Sequence, residues 1–205
     1  MRFIGALIAM VFLAQCATPG GREDFVVGSG EDALVIIGIA KSGRDTSPRY
    51  VMLWRQLDEA GAFRELSGRA SFDAETNDGD TVRVRGIPGE FVVLRVEPGV
   101  YALDGVFAII PDGRVNYVAQ GVITGPERPT FEARAGEAIY LGIWEADIED
   151  TTAVVRPWRL DSNDARAVVR QAGGVEGEVR VRETHTRAVP CAPHQPSTMS
   201  TRRVC

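Results

Sequence analysis

Apolar side chains recur along most of this chain with a period of two, the spacing that places alternate residues on one face of a β-strand. Ala33 to Ala40 (ALVIIGIA) is continuously apolar and rich in branched residues. It predicts a strand buried on both faces, with Gly38 marking a bulge or a close approach of backbone. Further strands are predicted over Tyr50 to Leu57, Ala62 to Leu66, Arg69 to Asp73, Thr81 to Arg85, Phe91 to Val96, Val100 to Ile110, Val115 to Ile123, Thr130 to Ala133 and Ala138 to Trp144. Val154 to Leu160 adds another, which Pro157 assigns to a sheet edge because proline cannot donate to a ladder. One segment has helical spacing. Asp161 to Asp164 supplies capping residues, Ala165, Val168, Val169 and Ala172 share a face, and Gly173-Gly174 stops the run, so a helix is expected near 162–172, packed across an open end of the sheets. Val175 to Thr184 then alternates again and should return to a sheet. Strands this short, joined by turns this frequent, predict a mainly β protein: an antiparallel β-sandwich, with a flattened barrel as the alternative.

The organising stretch is Phe91 to Trp144, which contains two turn-plus-tyrosine units, Glu97-Pro98-Gly99-Val100-Tyr101 and Arg134-Ala135-Gly136-Glu137-Ala138-Ile139-Tyr140. Pro98 presets φ at the second turn position and Gly99 accepts positive φ at the third, which suits a type II turn. Tyr101 then shares the core-facing side with Leu103. The pattern Pro98, Gly99, Tyr101, Leu103 resembles the turn of transthyretin-like and peptidase-regulatory-like β-sandwich modules of secreted bacterial proteins. Gly136, Tyr140 and Gly142 resemble the partner segment of small bacterial lipoproteins. The likeness covers about a quarter of the chain; it implies the architecture and says little about activity.

At the N-terminus, Met1-Arg2 is a positive n-region and Phe3 to Ala14 an apolar run shorter than the roughly 20 residues of a membrane-spanning helix. Leu13-Ala14-Gln15-Cys16 resembles the lipobox of bacterial lipoproteins, in which the cysteine is acylated and becomes the mature N-terminus. Gln15 departs from the small residue usual at that position, and an ordinary signal peptide with Cys16 as a thiol near the cut is the alternative. The expected organisation is a signal peptide over 1–15, lipid anchor and tether over 16–31, a β domain over 32–190 and a tail over 191–205. Ala17 lacks the aspartate that retains enteric lipoproteins in the inner membrane, so the resemblance implies an outer-membrane lipoprotein facing the periplasm.

An apolar fraction of 44% supports a sizeable core, and a net charge of −5 offers no electrostatic case for nucleic acid. With Cys16 carrying lipid, Cys191 and Cys205 form an even pair, for which a disulfide is expected in an oxidising compartment. Free thiols are one alternative. A metal site of His185, Cys191, His194 and Cys205 is another, although the spacing does not match the paired cysteines of structural zinc, and neither metal nor cofactor is expected.

Catalytic motifs are scarce. The two histidines, His185 and His194, lie near the C-terminus; no serine sits in a G-x-S-x-G elbow, and the chain has no phosphate loop, dinucleotide fingerprint or zinc helix. Gly28-Ser29-Gly30 belongs to the tether. Asp147, Glu149 and Asp150 read as a solvated loop after a strand, and the turn around Asn77, Asp78 and Asp80 lacks the later carboxylate of a calcium loop. Among the aromatics, Tyr101 and Tyr140 are expected in the core, while Trp144 and Trp158 are the candidates for a ligand-binding edge. The expectation is a non-enzymatic, lipid-anchored envelope protein with a structural or partner-binding role. A glycan- or peptide-binding module is the second reading and a hydrolase the third.

Overall fold

The structure is a computed structural model that describes residues 24–40, 48–66, 68–76, 79–112, 115–196 and 202–205. Cys16, with the expected signal peptide and lipid anchor, lies outside the described residues. The strands are β1 (Phe25–Val26), β2 (Ala33–Ala40), β3 (Arg49–Gln56), β4 (Ser71–Glu75), β5 (Glu90–Val96), β6 (Gly99–Asp112), β7 (Val115–Gly121), β8 (Glu127–Ala133), β9 (Ala138–Glu149), β10 (Thr152–Arg159), β11 (Val175–Glu176), β12 (Arg180–Val181) and β13 (His185–Ala188), with helix α1 over Ser162–Ala172. Eleven of them build two facing sheets, and β1 and β11 pair as a separate two-stranded sheet. The first runs β10-β9-β2-β5, with β12 beside the start of β9; the second runs β13-β8-β6-β3-β4, with β7 also on β6. This is the expected sandwich and not a closed barrel. Pairing is mainly antiparallel, but β2 and β9 at the middle of the first sheet run parallel.

The inward faces meet in one core. Trp54 of β3, Phe72 of β4, Tyr101 of β6 and Phe131 of β8 come from the second sheet and Trp144 of β9 from the first. Trp54 meets Trp144 edge-on at 5.6 Å and Phe131 at 5.4 Å, while Tyr101 stacks on Phe131 at 5.4 Å. Such pairs contribute about 0.5–1.5 kcal/mol each beyond the area they bury.

The two turn-plus-tyrosine units are not hairpins within a sheet. Glu97-Pro98 carries the chain from β5 in the first sheet to β6 in the second, and Arg134 to Glu137 brings it back from β8 to β9. Both crossings lie at one end of the sandwich, because Val96 pairs Ala33, Ala138 pairs Leu34 and Gly99 pairs Ala133. The Tyr101 hydroxyl donates to the Glu97 carbonyl at 2.7 Å, tying the first crossing to the strand that follows. That is the geometry of the tyrosine corner of β-sandwiches. Tyr140 is also buried, but on the opposite face of its sheet, against Ile36, Phe91 and Ile143.

That outer face is where α1 packs, through Ala165 and Val168, so the helix lies over a sheet and not across an open end. Its start is as expected. The Asp161 side chain accepts the Asn163 N–H at 2.8 Å, which satisfies one of the first-turn donors that a helix leaves unpaired.

Several strand boundaries differ from expectation for identifiable reasons. Ala62 to Leu66 and Thr81 to Arg85 supply only the isolated bridges Leu57↔Phe63 and Val82↔Phe91. Turns at Gly86 and Gly89, each with positive φ, bend the second of these away before a ladder can extend. β9 continues to Glu149, and Asp150 and Thr151, both at positive φ, form a two-residue hairpin into β10. Asp147 and Glu149 therefore belong to a strand and not to a loop. Residues 25–31, expected in the tether, belong to the fold: Phe25 is buried and β1 pairs with β11.

The tail is closed by the expected disulfide between Cys191 and Cys205, with Cα atoms 4.7 Å apart. It docks on the outer face of the second sheet. Val204 packs among Val51, Leu53, Phe107 and Ile109, and the Arg202 guanidinium lies 4.9 Å from the Phe107 ring centre. Among the described residues no helix is long and apolar enough to cross a membrane.

Candidate functional site

The site begins with two bulges facing each other across β9 and β10. Along β9, Tyr140 pairs Ile36 but Ile143 pairs Gly38, so two residues stand where the parallel partner has one. Gly142 absorbs the extra length at φ +82, and a Cβ there would lie 2.5 Å from the Arg159 carbonyl oxygen. Only glycine fits both the backbone angle and the close approach. On β10, Pro157 pairs Trp144 while Arg159 pairs Ile143, which leaves Trp158 as the extra residue. Trp158 is 55% exposed, whereas Trp144 is 1% exposed with its Nε1 donating to the Leu141 carbonyl at 2.9 Å. The expected pairing of Trp144 and Trp158 at one ligand edge is therefore corrected: Trp144 belongs to the core, and Trp158 alone is presented.

Trp158 borders a groove of about 650 Å³ at the end of the sandwich where β2 finishes. Ile39 and Ala40 end the strand beneath it. The opposite wall is the turn through Pro88, Gly89 and Glu90. Gly89, at φ +90, lets that turn sit directly on the end of β2, since a Cβ would come within 2.7 Å of the Ile39 carbonyl oxygen. Two ion pairs line the walls. Arg156 Nε donates to Glu145 at 2.6 Å from one strand to its neighbour, and Arg83 donates to Glu90 at 2.7 Å. In each pair the carboxylate is the covered partner: the Arg156 and Arg83 side chains are 67% and 64% exposed, and those of Glu145 and Glu90 21% and 14%. The walls thus present guanidinium N–H groups whose charge is already balanced. The groove size falls within the range of small-molecule sites, and an exposed indole face beside a few fixed polar groups is what such sites use for orientation.

A second polar cluster is enclosed. β6 carries its own bulge, since Leu103 pairs Trp54 and Gly105 pairs Leu53, and the extra residue is Asp104. Its carboxylate accepts Arg55 at 2.7 Å and the Cys205 backbone N–H at 2.9 Å. Arg128 lies near enough for Asp104 to oppose the effect of burial, which lowers the Arg128 pKa from its usual range. The Arg55 and Asp104 side chains are 3% and 1% exposed beneath the tail, so this cluster serves to join the tail to β3 and β6.

The remaining candidate residues are dispersed. Tyr50 donates to Asp147 at 2.5 Å, joining the two sheets, and its hydroxyl pKa is pushed up to about 12 by burial first and by Asp147 second. The Ser29 hydroxyl donates to the Val26 carbonyl in the turn after β1. His185 lies on β13, and the exposed His194 sits in the tail, bridged through its backbone to Val204. Among the described residues no group of histidine, cysteine and acidic side chains is placed to hold a metal ion. The two wall pairs carry no sequence signal, because Arg156, Glu145, Arg83 and Glu90 belong to no motif and are brought together only by strand pairing and the turn before β5.

Comparison with models of protein families, with curated proteins and with solved structures finds no match to this chain.

Proposed function

We propose that this chain is a non-catalytic binding protein of the bacterial cell envelope, anchored by lipid on Cys16 in the outer membrane, facing the periplasm, and carrying the Trp158 groove as its binding face. The observation that carries this reading is the position of the groove. The first described residues lie at the crossing end of the sandwich, where the Gly28 N–H bonds the Gly136 carbonyl, and β2 then runs from Ala33 at that end to Ala40 at the groove. Eight residues of strand span about 25 Å. An anchor before residue 25 therefore leaves the groove on the side away from the membrane. The segment between Cys16 and Phe25 is short and polar, in keeping with a tether.

Fractionation of the host tests the anchor. The wild type is expected in the outer-membrane fraction, and Cys16→Ser in the soluble periplasmic fraction with its fold intact. A soluble wild type, or a Cys16→Ser variant that stays with the membrane, contradicts it. The binding face is tested in the same cells with a photo-crosslinking residue at position 158 or at Val26, which is exposed at the anchored end. Adducts are expected from position 158 and not from position 26.

A further inference from the structure

We infer that the Trp158 groove takes a neutral saccharide chain, one sugar ring lying on the indole face and its hydroxyls bonded by the guanidinium of Arg156. The inference rests on the groove being the binding face. Three features of the groove favour this ligand class over others.

The first is the platform. Trp158 and Arg156 are separated by one residue on β10 and both line the groove. An indole offers a broad, rigid, weakly polar face that matches the C–H face of a sugar ring, and being preset it loses little entropy on binding. The second is charge. Among the described residues that line the groove, Arg156 with Glu145 and Arg83 with Glu90 sum to zero, so an anionic ligand gains no net attraction and a cationic ligand meets two exposed guanidiniums. Arg156 commits its Nε to Glu145, and its side chain is two-thirds exposed, which leaves the terminal N–H groups to donate. Hydroxyl oxygens accept such bonds without bringing a charge that would have to be desolvated.

The third is the edge itself. A peptide binding by strand addition needs a row of free backbone donors and acceptors on β10. That row is interrupted at both ends. Near the hairpin, Ala153 N–H is bonded to the Val122 carbonyl and Val122 N–H to the Thr151 carbonyl. At the groove, Pro157 has no N–H and the Trp158 bulge shifts the register. The strand edge is blunted just where the aromatic face is presented, so recognition falls to side chains and not to the backbone.

The test uses detergent-solubilised full-length protein. Trp54 and Trp144 are 0% and 1% exposed, so changes in emission and in acrylamide quenching report on Trp158. The probes are the neutral trisaccharides chitotriose, cellotriose and maltotriose, the anionic trigalacturonate, choline as a cation, and an uncharged tetrapeptide. At least one neutral trisaccharide is expected to shift emission to the blue and protect against quenching, with a Kd of about 1 mM or tighter. The affinity should be unchanged between low salt and about 0.3 M NaCl, since no net charge is neutralised. Trp158→Ala is expected to abolish the response, measured for this variant by calorimetry, with thermal unfolding unaltered. Arg156→Met should weaken binding about tenfold and Trp158→Phe should retain it. Absence of binding by every neutral trisaccharide at about 10 mM overturns the inference. So does a salt-sensitive preference for trigalacturonate, or for choline or the peptide. If the saccharides fail while the crosslinker at position 158 still yields adducts, the ligand class is wrong and the binding face stands. If both fail, the binding face falls as well.

Discussion

Alanine at Asp104 is expected to lower the folding stability by about 3–5 kcal/mol, the range for removing one partner of a buried ion pair. Asp104 is the extra residue of the β6 bulge, enclosed with Arg55 at 2.7 Å. Without its carboxylate, the Arg55 guanidinium is left as an uncompensated buried charge and the Cys205 N–H loses its acceptor. The cost arises from stranding a charge and not from losing an attraction. Arg55→Met combined with Asp104→Leu should therefore be far less damaging than Asp104→Ala alone, because both charges leave together. Denaturant unfolding of the three variants measures this. A loss below about 1 kcal/mol for Asp104→Ala would show that water reaches Arg55 and that the tail does not seal the cluster.

Opening the Cys191–Cys205 disulfide, by reduction or with the Cys191→Ser, Cys205→Ser pair, is expected to cost about 3 kcal/mol, the chain-entropy figure for a closed loop of this size. The bond spans a sequence separation of 14. Its effect reaches beyond loop closure, since the clasped tail delivers Val204 to an apolar cluster and the Cys205 N–H to Asp104. The disulfide and Asp104 should thus be coupled. The combined loss for Asp104→Ala in the reduced protein is expected to fall short of the sum of the separate losses by more than about 0.5 kcal/mol. Unfolding midpoints with and without reductant measure the first effect, and an unchanged midpoint would mean that the tail is held by its packing alone.

The strands and the helix were legible wherever one period persisted. Ala33 to Ala40 and Ser162 to Ala172 are elements with the expected limits, because an unbroken apolar run and a capped 3.6-residue pattern admit few alternatives. What the pattern conceals is where the period slips. Ile139 and Leu141 face the core, and continuing that phase would turn Trp144 outward; the extra residue at Gly142 turns it inward instead. Trp158 faces outward without any slip, since Ala153 and Val155 face the core and Trp158 stays in phase with Arg156 on the other side. The expectation for Trp144 thus depended on a bulge, which a period of two cannot register. The slip at Asp104 is visible in hindsight, since Tyr101 and Leu103 face the core and so do Val106 and Ala108, one residue out of phase.

Turn chemistry was informative about location and silent about destination. Pro98 and Gly136 do mark reversals, yet each passes the chain between sheets, a choice made by the long-range pairing of β2, β6 and β9. Charges were the least legible. Arg55 and Asp104 stand inside apolar runs with no partner visible in the sequence, and their burial follows from where the tail docks. The cysteine pair was readable because only two thiols remained once Cys16 was assigned to lipid.

The anchored binding protein is tested most directly by intact-mass spectrometry of the protein purified from membranes of its own host, with and without reduction. A mature chain beginning at Cys16 is expected, heavier by a diacylglycerol and an acyl group, that gains the mass of two hydrogens on reduction. An unlipidated chain recovered from the soluble fraction would contradict the anchor, and with it the placing of the groove away from the membrane.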